Sequence, residues 1–327
     1  LRIFFILLSI GLLSIILLQR AAMWVPDPFT SSDERLLRAL AALPGPDVAE
    51  LKLAHAALSP RYDYAIFGNS RSIEVSAHHM PRDFFNFSVA GSSFRTSVSM
   101  LERLAEMGKA PQTSILQFDH PAVMHEPSGP WARNLSDRWR INVADSISTL
   151  DDGFSKDFLV LARMFVGEEW ERFSSLFSLS RLRVRLHMLW PRAVPWVGTV
   201  RAFVTDGSRV PIMAHAPPPI PKHPSQQKLE VPALNRHMAR LFRVSEKHGV
   251  RIIVYESPLY HDLQEHGSLW SSEEVERRRR SFADACVRLN IDCRSSINLP
   301  QTASIWEAWE HPPGEALGVW LRGVIDQ

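Results

Sequence analysis

Hydrophobic and polar positions follow two different periods along most of this chain. Short apolar runs, typical of buried strands, are separated by longer amphipathic stretches with the 3.6-residue period of helices. The apolar runs predict strands at about 62–67, 86–91, 114–118, 250–255 and 291–293. The amphipathic stretches predict helices at about 48–58, 96–107, 232–248, 271–289 and 314–324. Strands that alternate with helices predict an α/β domain with a mainly parallel sheet, helices on both faces and right-handed crossovers.

The N-terminal segment has a different pattern. Residues 3–18, IFFILLSIGLLSIILL, are uncharged and almost wholly Leu, Ile and Phe, which favours insertion into a bilayer. The residues that follow, Gln19 to Ala22, make a poor signal-peptidase site, and Trp24 suits the membrane interface. We therefore predict one transmembrane anchor over residues 1–24.

The anchor also predicts where the rest of the chain lies. Arg2 and Arg20 flank the apolar segment symmetrically, so the positive-inside rule does not decide the orientation. A short N-terminal side and a long C-terminal body are typical of a signal anchor, which predicts a single-pass protein of the bacterial inner membrane with a periplasmic domain. Residues 25–58 are predicted to form a helical linker, in which Ser31 and Glu34 fit a capping box. The α/β domain is predicted to occupy 59–327.

Between about 120 and 227 the regular alternation stops. This interval holds two helical stretches and a Pro-rich segment, AHAPPPIPKHP, which predicts a helical insertion with an extended connector. Tryptophans and arginines are mixed within it. They favour either a helical subdomain that packs its aromatic rings on the sheet, or a face that binds a membrane surface or a partner protein.

Composition and charge exclude several classes of protein. Hydrophobic residues are 45% and charged residues 22% of the chain, which is ordinary for a folded domain rather than a disordered one. The net charge is +2 and the arginines are scattered, so nucleic-acid binding is not indicated. No metal-ligand spacing and no phosphate-binding Gly-rich loop is present, so neither a metal nor a cofactor is predicted.

The two cysteines leave two interpretations open. Cys286 lies near the end of a predicted helix and Cys293 in the next short strand. In an oxidising compartment they could close a small disulfide loop, whereas otherwise they are two ordinary buried thiols.

The candidate chemistry lies at the ends of the predicted strands. Ser70 follows the first strand in the turn FGNSRS, and a Gly-containing turn, NFSVAGSSF, follows the next. Open parallel sheets place their ligands at the carboxyl ends of the strands. A hydroxyl nucleophile and the N–H groups of a helix N-terminus would meet there. Taken alone, Gly-Asn-Ser is also an ordinary turn that caps a helix.

Further along the chain, ILQFDHP ends another strand, HGVRIIVYESPLY joins a helix end to the next strand, and WEAWEHPPGEAL places His311 before the last helix. In this order the segments resemble the SGNH/GDSL hydrolase superfamily, over about 60–120 and 230–327, roughly half of the chain. The resemblance implies a flavodoxin-like sheet. It is strongest to the membrane-anchored periplasmic branch, which includes alginate-type O-acetyltransferases and teichoic-acid D-alanyl-transfer proteins.

The resemblance implies a role for each matched residue. Ser70 would be the nucleophile, the N–H groups of Ser70 and Gly91 would be oxyanion donors, and His311 would be the general base. Ala308 stands where the superfamily has the triad Asp, so Glu307 or Glu310 would have to orient the imidazole. The superfamily's third donor, an Asn after the third strand, has no match, because the nearest residues are Gln117, Asp119 and His120.

Three functions follow as expectations. The first is a periplasmic SGNH-like acyltransferase or esterase that acts on a cell-envelope polysaccharide beside an integral-membrane partner, which the resemblance alone implies. The second is a catalytically silent SGNH-like accessory subunit of a larger membrane complex. The third is an anchored carbohydrate-binding protein or an unrelated periplasmic α/β protein.

Overall fold

The computed structural model describes residues 45–118, 203–209, 231–257, 272–295 and 313–327, with a few isolated positions before residue 45. The chain divides into two compact units. One comprises 1–44 and 128–202, and the other comprises 45–127 and 203–327. The sheet and all the helices described below belong to the second unit.

Five strands form one sheet in which every pair is parallel. The strand order is β2-β1-β3-β4-β5, the order of flavodoxin-like doubly wound sheets. The predicted α/β class and parallel sheet are therefore confirmed. The strands are β1 Tyr64–Phe67, β2 Phe84–Asn86, β3 Thr113–Phe118, β4 Arg251–Glu256 and β5 Asp292–Ser295.

The helices of this unit lie close to the predicted ranges. They are α1 Gly45–Leu58, α2 Phe94–Glu106, α3 Val231–His248, α4 Ser272–Leu289 and α5 Gly314–Ile325. Helix α2 begins after Ser93, whose hydroxyl accepts a hydrogen bond from the Thr96 N–H, as an N-cap does. Both α2 and α3 are strongly amphipathic, and each buries its apolar side.

The second strand is the main difference from the predicted elements. We predicted it at 86–91, but β2 ends where that prediction begins, at Asn86. The Asn86 side chain accepts from the Ser88 N–H at 2.8 Å and donates to the carbonyl oxygens of Ser72 and Val75. The Asn86 side chain thus takes up the Ser88 N–H, while the Phe87 and Val89 N–H groups still donate to the carbonyl oxygens of Ile66 and Gly68. The chain after Asn86 therefore stays beside β1 but does not continue as a regular strand.

Helices cover both faces of the sheet. Strand β3 is buried at all six positions, as expected of a strand covered on both sides. Its Ile115 belongs to an apolar cluster with Leu317 and Leu321 of α5. Its Phe118, which points to the other face, stacks on Phe282 of α4 with ring centroids 4.4 Å apart. The prediction of helices on both faces is confirmed.

A disulfide joins Cys286 of α4 to Cys293 of β5. Of the two interpretations that the sequence leaves open, the structure has the bonded one. The bond closes the short connection between the last strand and the helix that precedes it.

The predicted insertion at about 120–227 is described only at 203–209. There Phe203 and Arg209 form an antiparallel bridge, and the Val204 N–H bonds to the Ser208 carbonyl oxygen at 2.7 Å. We call this short element the 203–209 hairpin. The rest of the predicted insertion, with its Trp and Arg residues, lies outside the described residues.

The predicted anchor, 1–24, lies outside the described residues except for Gly11. Among the helices that the structure describes, none combines the length and the apolar character needed to cross a bilayer. The anchor therefore stays a prediction from the sequence, as does the capping box at Ser31 and Glu34.

Candidate functional site

The carboxyl ends of the parallel strands bring the candidate residues together. Ser70 comes three residues after the end of β1. Strand β1 lies between β2 and β3, where successive connections leave in opposite directions, and doubly wound sheets bind ligands in the crevice at that point. Ser70, which is partly buried, therefore lies at the position where this fold places ligands.

The turn that carries Ser70, residues 68–72, is fixed by its own hydrogen bonds. The Arg71 N–H donates to Asn69 Oδ1 at 3.0 Å, which is an Asx-turn. The Ser72 N–H donates to the Asn69 carbonyl oxygen at 3.2 Å. A β-carbon at Gly68 would collide with Ser72 Oγ and Gln117 Oε1, so the glycine is required by close packing.

A buried polar network surrounds this turn. Gln117 of β3 accepts from Ser72 Oγ at 2.7 Å and donates through Nε2 to Asn69 Oδ1 at 3.0 Å. Its second Nε2 hydrogen faces Ser257 Oγ at 3.2 Å, just after β4, and Ser72 Oγ also lies 2.8 Å from Ser88 Oγ, just after β2. Groups from four strand ends are thus joined through two side chains. Ser72 and Gln117 are 0% and 2% exposed, so the network is shielded from water.

The hydrogen bonds of this network determine whether Gln117 can act as an oxyanion donor. From the sequence, the superfamily's third oxyanion donor had no match near the end of β3, where Gln117 is the nearest residue that the structure describes. Both N–H bonds of the Gln117 amide are committed to Asn69 and Ser257. Gln117 therefore has no donor left for a bound substrate, and Asp119 and His120 lie outside the described residues.

Gly91 is brought to the Ser70 turn by the residues on either side of it. The Ser92 N–H bonds to the Val89 carbonyl oxygen at 3.1 Å, and Gly91 has φ +74°, a conformation that suits glycine. The Val89 N–H and Ser92 Oγ both donate to the carbonyl oxygen of Gly68, at 2.9 and 2.7 Å. Gly91 is exposed, and no acceptor for its N–H lies within the described part of the chain. Its N–H can therefore serve a ligand.

The predicted base, His311, and its possible carboxylate partners, Glu307 and Glu310, lie outside the described residues. Their roles stay predictions. The nearest described element is the start of α5, where Gly314 packs so closely on Glu74 that a β-carbon at 314 would collide with the Glu74 backbone. Glu74 comes four residues after Ser70, so α5 begins beside the segment that follows the candidate nucleophile.

A buried lysine that sequence analysis did not single out lies beside the same edge. Lys52 of α1 is 0% exposed, and its ammonium group donates to the carbonyl oxygens of Asn86, Ser88 and Gly207 at 2.6 to 2.7 Å. Burial lowers the pKa of Lys52, and the Asp206 carboxylate opposes this shift. The three acceptors lie 34, 36 and 155 residues away in sequence, so no local pattern could have indicated this contact.

Through Lys52, the 203–209 hairpin is joined to the end of β2. Further contacts join the hairpin to the segment after Ser70. Asp206 accepts from the Ala77 N–H at 2.6 Å, and the Arg209 N–H donates to the Ile73 carbonyl oxygen at 2.8 Å. Arg209 also forms an ion pair with Glu74 at 3.4 Å, with both side chains less than 10% exposed. The end of the inserted region is thus bound to the segment that follows the Ser70 turn.

No protein-family model matches this chain, and no curated protein matches it. Within the residues that the structure describes, no group of three or more His, Cys, Asp or Glu side chains is arranged to hold a metal ion. The described part of the site brings together one hydroxyl, at Ser70, a nearby backbone N–H, at Gly91, and a buried polar support.

Proposed function

We propose that this chain is a membrane-anchored, SGNH-like serine acyltransferase or esterase that acts on an acylated polysaccharide of the bacterial cell envelope. One observation carries the proposal. Ser70 lies in the turn that follows β1 of a parallel sheet with the order β2-β1-β3-β4-β5, and residues 89 and 92, on either side of the exposed Gly91 N–H, bond to the Gly68 carbonyl oxygen in that turn. This juxtaposition of hydroxyl and donor is what acyl transfer through a serine ester requires.

The proposed mechanism begins with attack of Ser70 Oγ on the ester carbonyl carbon of the substrate. His311 accepts the hydroxyl proton and later gives it to the leaving alcohol. The N–H groups of Ser70 and Gly91 stabilise the oxyanion, and removing one such donor typically costs about 3 to 4 kcal/mol of transition-state stabilisation. The acyl group is then transferred from Ser70 to water or to a sugar hydroxyl.

The proposed oxyanion site has two donors and not three, because Gln117 is engaged elsewhere. Both proposed donors, at Ser70 and Gly91, are backbone N–H groups in turns held by other residues. Such groups need little reorganisation when charge develops, so two of them can support acyl transfer. Glu307 or Glu310 is proposed to orient His311.

The disulfide supports the proposed location. Bonds such as Cys286–Cys293 persist in oxidising compartments, including the bacterial periplasm. Together with the predicted anchor at 1–24, it favours a periplasmic domain on a single-pass protein of the inner membrane. The proposed integral-membrane partner would supply or receive the acyl group there.

A specific observation also favours the second candidate, a catalytically silent accessory subunit of a membrane complex. The polar groups behind the Ser70 turn satisfy one another, and Ala308 replaces the expected triad Asp. A fold can keep such a support after its chemistry has been lost. A non-catalytic carbohydrate-binding protein would show the same lack of reactivity but would bind envelope polysaccharide on its own.

Labelling with a fluorophosphonate serine-hydrolase probe tests the proposal. The full chain in detergent would be compared with Ser70→Ala and His311→Ala, and Ser76→Ala would serve as a nearby control serine. We expect the wild type and the control to be labelled and the other two variants to lose labelling. A folded wild type that takes up no probe would contradict the acyltransferase proposal and favour the accessory subunit.

A further inference from the structure

Gln117 contacts the Ser70 turn from within the sheet. Its Oε1 accepts from the Asn69 N–H at 3.3 Å and from Ser72 Oγ at 2.7 Å. Its Nε2 donates to Asn69 Oδ1 at 3.0 Å. The Gln117 amide thus bonds to Asn69 and Ser72, the residues that precede and follow Ser70 and Arg71.

The partners also fix the orientation of this amide. Asn69 Oδ1 accepts from the Arg71 N–H, so it presents an acceptor towards Gln117. A reversed amide would place Oε1 against Asn69 Oδ1 and Nε2 against the Asn69 N–H, replacing two hydrogen bonds by two repulsive contacts. Only one orientation satisfies every partner, and burial protects it from competition by water.

The sheet makes Gln117 a rigid support. Strand β3 is the central strand, paired with β1 on one side and β4 on the other. Its Leu116 and Phe118 are 0% exposed, and Gln117 also contacts Ser257 beyond β4. The amide therefore has little freedom, and the turn it holds shares that restriction.

We infer that Gln117 is the positioning residue of the proposed nucleophile. It holds Asn69 at two points and Ser72 at one, and through them it sets the place of Ser70 Oγ relative to the oxyanion donors. This inference rests on the proposed function. Gln117 does not touch the substrate in this account, since its donors are already used, and its effect reaches Ser70 only through Asn69 and Ser72.

The experiment compares Gln117→Met, Asn69→Ala and the double variant, each in the full chain in detergent. Gln112→Met is the matched control, because Gln112 is an exposed glutamine that immediately precedes the opposite end of β3 and is bonded to Asp63. The second-order rate constant for fluorophosphonate labelling is measured and corrected for the folded fraction. A purely structural role would change that fraction but leave the corrected rate constant alone.

We expect Gln117→Met to lower the corrected rate constant by roughly 10- to 100-fold, the scale expected when a reacting group is misplaced. We expect Asn69→Ala to have a similar effect, and the loss in the double variant to be clearly smaller than the product of the two single losses, because both changes break the contact between Gln117 Nε2 and Asn69 Oδ1. If wild type and Gln117→Met are labelled at equal corrected rates, or if the two effects multiply, the inference is overturned while the proposed function stands.

A second measurement decides the inference if the wild type takes up no probe, the result that contradicts the proposed function. The Arg71 and Ser72 N–H groups are hydrogen-bonded to Asn69, so their exchange with deuterium reports how firmly the turn is held. We expect faster exchange at these two amides in Gln117→Met but not in Gln112→Met. Equal exchange in the two variants overturns the inference.

Discussion

Across its strands, the sheet has a Ser70 end, formed by β1 and β2, and a β5 end on the opposite side. These two ends are stabilised by different means. At the Ser70 end, around β1 and β2, fully buried polar groups such as Lys52, Ser72 and Asn86 bond to one another and to backbone carbonyl oxygens. At the β5 end, a disulfide and partly exposed ion pairs hold the edge strand. There the side chains of Asp292 and Arg294 are 28% and 33% exposed.

The difference has a functional meaning. A buried hydrogen-bond network fixes positions to within a fraction of an ångström, since every unsatisfied group there is costly. A disulfide and surface ion pairs restrain the chain without requiring that accuracy. We therefore expect changes at the Ser70 end to affect both stability and labelling, and changes at the β5 end to affect stability alone.

The largest effect is expected from Lys52→Met. This change leaves the carbonyl oxygens of Asn86, Ser88 and Gly207 without their donor, and each unsatisfied buried group costs about 1 to 3 kcal/mol. We expect the free energy of unfolding in urea to fall by about 3 kcal/mol or more, with reduced labelling of Ser70. Lys109→Met is the control, because the partly exposed Lys109 ammonium group donates to the Ser59 carbonyl oxygen near the surface. A loss as large as that for Lys52→Met would contradict the importance of burial.

Removal of the disulfide should have a smaller effect. Cys286 and Cys293 are seven residues apart, and closing so short a loop stabilises the folded state by about 2 to 3 kcal/mol. We expect the double variant Cys286→Ala, Cys293→Ala to lose about that much in urea unfolding while its corrected labelling rate stays that of the wild type. A large drop in labelling would show that the two ends of the sheet are not independent.

The pH dependence of the free energy of unfolding gives a second test of the buried Lys52. Burial lowers its pKa in the folded state below the ordinary value of 10.5, so between the two values the unfolded chain binds more protons than the folded one. The free energy of unfolding therefore rises with pH through that interval. We expect the stability difference between wild type and Lys52→Met, measured in urea from pH 7 to 10, to widen as pH rises; a constant difference would contradict the role of burial.

The smallest effect is expected from Arg294→Ala. Its ion pair with Asp292 is a third exposed, and exposed pairs contribute about 1 kcal/mol at most because water and salt screen them. We expect a decrease of less than about 1 kcal/mol in the free energy of unfolding, which shrinks in added salt. A loss as large as that for Lys52→Met would remove the distinction between the two ends.

The sequence predicted the parts of the fold that depend on local pattern. The apolar runs predicted β1, β3 and β4 to within two residues, and the amphipathic periods predicted α2 and α3 similarly. The prediction for β2 was wrong because Phe87 and Val89 are buried and apolar although the regular strand ends at Asn86, whose side chain takes up the Ser88 N–H. Burial and strand conformation are separate properties that one pattern of hydrophobicity cannot distinguish.

The candidate site likewise contains residues that the local sequence could predict and residues that it could not. Ser70 and Gly91 could be placed from the sequence, since glycines and serines at the ends of predicted strands mark the edge of a parallel sheet. The contacts of Gln117 and Lys52 could not, because their partners lie 34 or more residues away. Such contacts depend on how strands and helices assemble, which local sequence does not encode.

If Ser70 is an acyl-accepting nucleophile, brief reaction with an activated ester leaves an acyl group on its hydroxyl that can be detected directly. The full chain would be incubated briefly with p-nitrophenyl acetate, quenched in acid, digested with trypsin and analysed by mass spectrometry. Cleavage after Arg61 and Arg71 releases a peptide in which Ser70 is the only serine, separate from Ser72. We expect an acetyl group on this peptide that is absent from Ser70→Ala, whereas an unmodified peptide from folded wild-type protein would rule out Ser70 as the nucleophile.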